Sequence, residues 1–299
     1  MKSILILGSE GFIGKHLVTY YLSAGYKVFG CDLCEPFSGA YSYSKLSQSS
    51  PEWDYIFARN SYDVCINAAG SGNVPYSIEH PVMDFEANTS DTMKILDIIR
   101  KTQPQCKYLH ISSAAVYGDP PTLPVREDLA LHPLSPYGWH KFMSELLCRE
   151  YHELFGLKVA IIRPFSVYGN GLRKQLLWDI CQKMQQQPTV TLFGTGKESR
   201  DFIHVDDLVR LFDCVVQRCE FNGSVYNAAS GIETTIRSIA DIFEKHFGGE
   251  KNIGFSGQAR AGDPVNWRAD IRKVRSLGFE PATNLEEGIK SYIEWHLNL

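Results

Sequence analysis

The feature that most constrains this chain is a glycine-rich turn that directly follows a short apolar strand. The run Ile4–Leu7 leads into Gly8-Ser-Glu-Gly11-Phe-Ile-Gly14, and a helical pattern continues from there to Ala24. Glycines allow a tight bend and let a pyrophosphate approach the backbone N–H groups, while the N-terminus of the helix supplies positive potential. In this strand–turn–helix context, the spacing G-x-x-G-x-x-G predicts a dinucleotide-binding loop.

An acidic residue at the end of the second predicted strand indicates which dinucleotide is bound. Asp32 lies 24 residues after Gly8, where a carboxylate can bind the hydroxyls of the adenosine ribose. The same carboxylate would repel a 2′-phosphate, so the sequence favours NAD over NADP as the cofactor. The alternative interpretation is a plain helix cap followed by a surface acid that binds no ligand.

Short apolar runs alternate with longer helical patterns throughout the first half of the chain. The predicted helices are Gly14–Ala24, Asp84–Lys101 and Tyr137–Phe155, and the predicted strands are Ile4–Leu7, Lys27–Cys31, Val64–Asn67, Lys107–Ile111 and Lys158–Ile162. This alternation indicates βαβ units and a parallel sheet, and strands with few polar residues are typical of a sheet covered on both faces. The Ser- and Tyr-rich segment Glu35–Pro51 should contain the third strand, which the pattern does not position.

Beyond Pro164 the chain changes to shorter elements punctuated by glycine and proline. Helices are predicted over Leu172–Gln186, Asp206–Cys219, Thr235–Phe247 and Leu285–Leu299. We therefore predict an α/β fold, with a Rossmann-type doubly wound parallel sheet and a smaller C-terminal α/β lobe that binds the substrate. The expected domains are residues 1–165 for the cofactor and residues 166–299 for the substrate, with residues 204–228 returning to the first domain.

Composition and charge exclude several classes of function. The formal net charge is -4 and the pI is about 6.1, so electrostatics give no reason to expect a nucleic acid or an anionic membrane as partner. No stretch approaches the ~18 apolar residues of a membrane span, and we see no export signal. We therefore expect a cytoplasmic protein whose eight cysteines are reduced. Cys31 and Cys34 have no second pair at zinc-binding spacing, so no metal site is expected.

Three side chains form a candidate catalytic group. Tyr137 and Lys141 are four residues apart at a predicted helix start, hence on one face of that helix. A lysine beside a tyrosine stabilises the phenolate and lowers the phenol's pKa, as a general base working near neutral pH requires. Ser112 and Ser113 follow the fourth apolar strand, at the sheet edge where ligands of open α/β folds bind. The alternative is an exposed amphipathic helix and a serine-capped turn.

Five segments occur in the order of a known family: the glycine loop, Asn67-Ala-Ala, Ser-Ser-Ala-Ala-Val-Tyr-Gly (112–118), Ser-Pro-Tyr-Gly-Trp-His-Lys (135–141) and Arg-Asp-Phe-Ile-His-Val-Asp-Asp-Leu (200–208). In this combination the chain resembles the extended short-chain dehydrogenases/reductases, and more narrowly their nucleotide-sugar epimerase/dehydratase family. The resemblance runs from Ile4 to about Trp295.

The resemblance implies a role for individual residues. It implies Ser113, Tyr137 and Lys141 as the catalytic residues. It implies NAD binding by Gly8, Gly11, Phe12, Ile13, Gly14, Asp32, Ala68, Ala69, Asn88, Tyr137 and Lys141. It implies a nucleotide-diphosphate sugar as substrate, bound by Ser113, Ser166, Phe193, Arg200 and Arg260, with the two arginines on the diphosphate and Phe193 on the base. It also implies a homodimer packed through helices near residues 84–101 and 137–155.

Two departures from the family pattern narrow the expected reaction. Ala114 and Ala115 stand where dehydratases carry an Asp-Glu pair, so 4,6-dehydration is disfavoured, and Ser166 stands where the family usually has Asn, which leaves the sugar open. We expect an NAD-dependent 4-epimerase that oxidises the sugar to a 4-keto intermediate and re-reduces it on the opposite face. The alternatives are an NADH- or NADPH-dependent 4-ketoreductase of a nucleotide-linked 4-keto-6-deoxy sugar, and a non-catalytic NAD-binding protein.

Overall fold

A seven-stranded parallel sheet forms the centre of the protein in a computed structural model that describes residues 2–47, 52–258 and 264–299. Its strands are β1 (Ser3–Leu7), β2 (Lys27–Asp32), β3 (Ser42–Lys45), β4 (Val64–Asn67), β5 (Lys107–Ile111), β6 (Val159–Pro164) and β10 (Asn222–Ala228). They lie in the order β10-β6-β5-β4-β1-β2-β3, and all neighbours are parallel. The chain reverses its direction of winding next to β1, so the predicted Rossmann-type doubly wound sheet is confirmed.

The sheet is apolar on both faces because successive strand residues point to opposite sides. In β1, Ile4 and Ile6 pack into one core, whereas Leu5 and Leu7 pack into another on the opposite face. The strand expected within Glu35–Pro51 is β3, a polar Ser-Tyr-Ser-Lys strand at the sheet edge beside β2. A partly solvated edge strand needs no apolar run, which is why the sequence pattern did not position it.

The flanking helices are α1 (Phe12–Ser23), α2 (Trp53–Arg59), α3 (Val74–Glu79), α4 (Pro81–Phe85), α5 (Asp91–Thr102), α6 (Pro136–Phe155) and α8 (Val205–Arg218), with a π-helical turn at Glu86–Ser90 and a 3₁₀ turn at Ala114–Val116. Residues of α1 and α8 fill the core on one face, and those of α2, α5 and α6 fill the core on the other. The single helix predicted over Asp84–Lys101 is divided between α4, the π turn and α5. Helices α2 and α3 were not predicted, because they are too short to show a clear helical period. The sheet and these helices are called the sheet lobe below.

Helix α6 begins where its sequence supplies the usual signals for a helix start. The Oγ of Ser135 accepts a hydrogen bond from the N–H of Gly138 at 3.2 Å, and Pro136 occupies the first turn, where its missing N–H costs no hydrogen bond. The helix ends at Phe155, and the next residue, Gly156, caps it with φ of +68°. Tyr137 is thereby held in the first helical turn.

The remaining elements form a smaller C-terminal lobe. They are β7 (Ser166–Tyr168), α7 (Gln175–Gln186), β8 (Thr189–Leu192), β9 (Ser199–His204), β11 (Glu233–Thr235), α9 (Ile236–His246), β12 (Asn252–Phe255) and α11 (Leu285–Leu297), whereas α10 (Arg272–Ser276) contributes to the core of the sheet lobe. Strands β11, β9 and β7 form one sheet, and β12 pairs with β8. Helix α7 starts three residues later than predicted, because Lys174 is extended and Gln175 has φ of +68°, which no right-handed helix allows.

Residues 204–228 run through the sheet lobe. The apolar face of α8, with Leu208 and Phe212, packs into the same core as α1, and β10 is hydrogen-bonded to β6. The division of cofactor and substrate between two domains stays a prediction at this point.

Three properties bear on membranes, metals and disulfides. No helix among the described residues is both long enough and apolar enough to cross a membrane. Within the same residues, no cluster of three or more His, Cys, Asp or Glu side chains has the arrangement of a metal site. Cys31 is buried and Cys34 is exposed, and both are free thiols.

Candidate active site

A cavity of about 860 Å³ lies at the carboxyl edge of the central sheet, between the sheet lobe and the C-terminal lobe. Loops that follow β1, β4 and β5 line one side, and residues of β7, α7 and β9 line the other. The predicted site residues in its lining are Gly11, Phe12, Ile13, Gly14, Ala68, Ala69, Ser113, Tyr137, Lys141, Ser166, Phe193 and Arg200. Gly8, Asp32 and Asn88 are not part of the lining, and Arg260 falls outside the described residues.

The glycine loop is packed so closely that side chains are excluded from it. Gly8 has φ of +76°, and a Cβ there would come within 2.7 Å of the backbone of Ala68 and Ala69. A Cβ on Gly14 would lie 2.0 Å from the carbonyl oxygen of Gly8. The loop therefore offers bare backbone and the start of α1 to the cavity, the arrangement that accommodates a pyrophosphate.

The carboxylate of Asp32 is held in a fixed orientation at the end of β2. Its Oδ2 accepts a hydrogen bond from the N–H of Glu10 at 2.9 Å, and its Oδ1 accepts one from the N–H of Leu33 at 2.7 Å. Glu10 in turn accepts hydrogen bonds from the N–H of Phe37, at 2.9 Å, and from the hydroxyl of Tyr41. Asp32 is thus joined to the glycine loop, and Glu10 joins that loop to the segment after β2. No local pattern marks Glu10 as a site residue, because its role depends on contacts 27 and 31 residues away.

Asn88 is buried beneath the loop that follows β4. Neither its Oδ1 nor its Nδ2 has a hydrogen-bond partner among the described residues. A Cβ on Gly70, which has φ of +116°, would come within 2.5 Å of this Oδ1. The loop after β4 therefore packs against the Asn88 amide, which has no hydrogen-bond partner among the described residues.

Ser113, Tyr137 and Lys141 meet at the cavity wall. The Nζ of Lys141 is buried and donates a hydrogen bond to the carbonyl oxygen of Ile111 at 2.9 Å. Burial raises the pKa of the Tyr137 phenol, and a hydrogen bond with Ser113 acts in the opposite direction. Burial lowers the pKa of Lys141 to about 8, and the charge of Asp84 opposes this shift. The sequence predicted a phenol whose pKa is lowered by Lys141, whereas in this structure the pKa of Tyr137 is raised, because burial outweighs the hydrogen bond with Ser113.

Close backbone packing brings the serine segment to Tyr137. A Cβ on Gly138 would lie 2.7 Å from the carbonyl oxygen of Ala115, so only glycine lets α6 approach the turn after β5 this closely. The N–H of Tyr137 donates a hydrogen bond to the Oγ of Ser77 in α3 at 3.1 Å. Ser77 is a supporting residue that the sequence analysis missed, because α3 itself was not predicted.

A second buried acid, Asp84 of α4, contacts the same helix. Its Oδ2 accepts a hydrogen bond from Nδ1 of His140 at 2.6 Å, and its Oδ1 has no hydrogen-bond partner among the described residues. His140 lies between Tyr137 and Lys141 in the first turns of α6. Asp84 raises the pKa of Tyr137 and of Lys141, in each case less strongly than burial affects that group. A negative charge beside the candidate catalytic pair is therefore built into the fold.

A buried polar network supports the serine segment from behind. The Oγ of Ser112 donates a hydrogen bond to Glu145 of α6. Arg163 of β6 binds both carboxylate oxygens of Glu145, at 2.9 and 2.7 Å, and donates to the hydroxyl of Tyr117 at 2.8 Å. Such bidentate pairs are strong and directional, so the end of β5 is held against α6. Glu145 follows Lys141 by four residues on one helix face, the one sequence signal that could have pointed to it.

The C-terminal lobe contributes a cation and an aromatic ring. Arg200 of β9 donates to the carbonyl oxygens of Ser199 and Val265, at 2.8 and 3.3 Å, and its guanidinium lies 5.6 Å from the ring centre of Trp267. Phe193 follows β8 and is 61% exposed. A large apolar side chain left open to a cavity, with a guanidinium on the same lobe, suits a ligand with both a flat ring and an anionic group.

Comparison with known proteins identifies the family. The sequence profile described as the NAD dependent epimerase/dehydratase family matches residues 4–229. The chain belongs to this family. It is therefore an NAD-dependent enzyme on a Rossmann-type fold.

Named relatives match the chain over nearly its whole length. A protein named putative UDP-glucose 4-epimerase, from Methanocaldococcus jannaschii, is 30% identical over 99% of this chain and 98% of its own length. The UDP-glucuronate 4-epimerase of Thermodesulfobacterium geofontis is 27% identical over 99% and 96%. The crystal structure of UDP-glucuronic acid 4-epimerase from Bacillus cereus, in complex with UDP-glucuronic acid and NAD, is similar with a TM-score of 0.90, at 26% identity over 99% of each chain.

The residues present fit the cofactor of the family. Side chains are excluded from the glycine loop, because added Cβ atoms would collide with backbone at Gly8 and Gly14. The loop therefore presents bare backbone, which a pyrophosphate can approach closely. Asp32 is fixed at the strand end where a ribose-binding carboxylate belongs. The amide of Asn88, which has no hydrogen-bond partner in the part of the chain that the structure describes, lies under the loop that lines the same cavity.

Proposed function

We propose that the chain is an NAD-dependent 4-epimerase of a UDP-linked sugar. The observation that carries the proposal is that Ser113, Tyr137 and Lys141 meet in one cavity with the glycine loop. The relatives are named UDP-glucose 4-epimerase and UDP-glucuronate 4-epimerase. These names support a UDP-linked glucose or glucuronate as the class of substrate.

The proposed roles follow from the positions of the side chains. When bound, NAD supplies a hydride acceptor for carbon 4 of the sugar, and a hydride donor for the return. Tyr137, as the phenolate, takes the proton from the 4-hydroxyl oxygen and later gives it back. Ser113 donates a hydrogen bond to that oxygen, and Lys141 stabilises the phenolate through its positive charge. Asp32, Gly8 and the rest of the glycine loop hold the dinucleotide.

In this proposal the C-terminal lobe holds the nucleotide, and the sheet lobe carries the groups that react with the sugar. Arg200 binds the diphosphate and Phe193 packs on the base, both from the C-terminal lobe, with Arg260 as the second diphosphate arginine. The catalytic groups belong to the sheet lobe. The nucleotide can therefore stay bound while the sugar turns about its diphosphate link and presents its other face. This corresponds to domains 1–165 and 166–299, with residues 204–228 in the first.

Two competing reactions fit less well. Dehydration needs carboxylates beside Ser113, whereas the next residues are Ala114 and Ala115, and Ala115 packs against Gly138. A 4-ketoreductase would use the same Tyr137, now as proton donor, but two relatives that match nearly the whole chain are named 4-epimerases. Ser166, in the cavity lining, would contact the sugar or its phosphate in place of the family's Asn.

The experiment that tests the proposal uses purified protein without added cofactor. We expect NAD to be released on denaturation in about a one-to-one ratio, and UDP-glucose or UDP-glucuronate to be converted to its 4-epimer. Tyr137→Phe should abolish conversion and leave NAD binding largely intact, because only the phenol oxygen is lost. Tyr55→Phe is the matched control, since Tyr55 lies on α2 away from the cavity. Strict dependence on added NADH or NADPH, with net consumption, would select the reductase instead.

The assembly that we propose is a homodimer formed through α4, α5 and α6. Large apolar side chains are exposed on these helices: Val82, Met83, Phe85, Met93, Trp139, Met143 and Leu146. Contiguous exposed apolar surface on a folded protein marks a site of association. A dimer at this surface would cover the outer face of the helix that carries Tyr137 and Lys141.

A further inference from the structure

Lys174 is a cavity-lining cation that the roles proposed above do not use. It directly precedes α7, and its Nζ lies 3.4 Å from the carbonyl oxygen of Gly72 in the loop after β4. Both residues line the cavity. Lys174 therefore reaches from the C-terminal lobe to the sheet lobe, across the space in which the substrate is expected.

The ammonium of Lys174 has no acidic partner in this position. Among the described residues no carboxylate contributes to the pKa shift of Lys174, which comes from burial alone, and the two acids in the cavity lining have other partners. Asp179 pairs with Lys183 at 2.7 Å, and Glu198 accepts hydrogen bonds from the N–H groups of Thr195 and Gly196. A cation in this setting is stabilised when a ligand supplies the missing negative charge.

The surroundings of Lys174 strengthen this attraction. Solvent reaches the side chain through the cavity opening, but the neighbouring protein atoms desolvate the ammonium enough to lower its pKa. The facing wall, from Ala68 to His80, contains no Lys or Arg. The other described cavity cations are Lys141, bound to Ile111, and Arg200, beside Trp267. Lys174 is thus the cation available to an anionic group near the loop after β4.

The backbone keeps this lysine in place. Gln175, the next residue, has φ of +68°, a region that residues other than glycine rarely occupy. Such conformations persist where the surrounding structure imposes them. The direction of the chain at Lys174 is therefore fixed by the fold.

We propose that Lys174 binds an anionic oxygen of the substrate, on either the diphosphate or a carboxylate of the sugar. The proposal rests on the function proposed above, in that it assigns a further binding residue to the same sugar-nucleotide site. The two sources share one chemistry, a negatively charged oxygen that replaces the 3.4 Å contact with Gly72. They differ in which ligands depend on the lysine.

The test compares Lys174→Met and Lys174→Arg with the wild type, all as holoenzymes. Binding of UDP, UDP-glucose and UDP-glucuronate is measured by titration calorimetry, which does not require turnover. Lys174→Met should weaken binding about tenfold or more, the usual effect of losing a hydrogen bond to a charged group, and Lys174→Arg should retain most of it. Lys290→Met is the matched control, because Lys290 is exposed on α11 outside the cavity lining.

Comparing the three ligands distinguishes a diphosphate oxygen from a sugar carboxylate as the group that Lys174 binds. Equal weakening for all three ligands places the anion on the diphosphate, whereas weakening confined to UDP-glucuronate places it on the sugar carboxylate. Unchanged binding of every ligand overturns the proposal, and so does a loss confined to NAD retention, which would put Lys174 in the cofactor site. Because binding is read directly, failure of the wild type to epimerise either sugar would refute the proposed function without deciding the role of Lys174.

Discussion

Replacing Asp84 by asparagine tests how the fold controls the ionisation of the proposed catalytic pair, Tyr137 and Lys141. Asp84 is fully buried, and its Oδ2 lies 2.6 Å from Nδ1 of His140, the residue before Lys141. Asparagine keeps an oxygen that can accept this hydrogen bond but removes the negative charge. Because that charge raises the pKa of both Tyr137 and Lys141, its removal lowers both pKa values.

The size of the effect on ionisation can be calculated from the pKa of Lys141. Burial lowers the pKa of Lys141 to about 8 even though Asp84 opposes the shift. A charge near a buried group changes its pKa by ~1 unit or more. The pKa of Lys141 in Asp84→Asn should therefore fall to ~7. At pH 8 the protonated fraction of the lysine would then fall from about one half to about one tenth, roughly fivefold. A bound nicotinamide adds the same positive charge to both proteins, so the difference between them is retained.

The sign of the effect on activity follows from the proposed roles. Activity rises with pH as Tyr137 loses its proton and falls again as Lys141 loses its own. Both limbs should therefore move to lower pH in Asp84→Asn. The variant should be more active than the wild type at the acidic end of the range, and less active at the alkaline end.

The assay is the pH dependence of kcat for epimerisation, measured on holoenzymes whose thermal unfolding is recorded in parallel. Asp97→Asn is the matched control, since Asp97 lies on α5 and pairs with Arg100 and Lys101 away from the cavity. A uniform loss of activity with both limbs unmoved would show that Asp84 acts through folding alone. A shift of either limb to higher pH would refute the electrostatic argument.

Three further predictions concern the cofactor loop and the assembly. Replacing Asp32 by alanine should raise the affinity for NADP relative to NAD, measured by cofactor titration, because the repulsion of a 2′-phosphate is removed. Gly14→Ala should abolish NAD retention and lower the melting temperature, because its Cβ would lie 2.0 Å from the carbonyl oxygen of Gly8, whereas Gly39→Ala, whose Cβ meets open space, should do neither. Met143→Glu should convert the proposed dimer to a monomer in sedimentation experiments, and a wild-type monomer would contradict the dimer itself.

The parts of the fold that the sequence predicted are those with a strong local signal. Strands β1, β4 and β5 are mostly apolar and buried in the sheet, and the sequence predicted their positions to within a residue. Strand β3 and helices α2 and α3 lack such a signal, because they are short and partly solvated. The start of α7 was predicted three residues too early, because no periodicity reports a positive φ at a glutamine.

The same distinction applies to the candidate site. The sequence predicted the candidate catalytic residues because their places in the fold have local signals. Ser113 follows an apolar strand, and Tyr137 and Lys141 lie in the first turns of a helix with a clear start. Their supports are contacts between distant segments: Asp84 and His140 are 56 residues apart, and Ser77 and Tyr137 are 60 apart. Nothing in a local window distinguishes these residues from ordinary helix positions. Long-range support of this kind becomes visible only when the chain is folded.

The distribution of the groups between the lobes also bears on how substrate choice would vary. The proposed chemistry draws on the sheet lobe alone, where Gly138, Glu145 and Arg163 fix the reacting side chains by close packing and buried hydrogen bonds. The C-terminal lobe brings Phe193 and Lys174, side chains open to the cavity and not fixed by comparable networks. On the proposed roles, a substitution of Phe193 or Lys174 should change which ring or anion is bound and leave the proton transfer at Tyr137 unchanged. On these roles, the preference for a nucleotide or for an anionic sugar can change through the C-terminal lobe at little cost in catalysis.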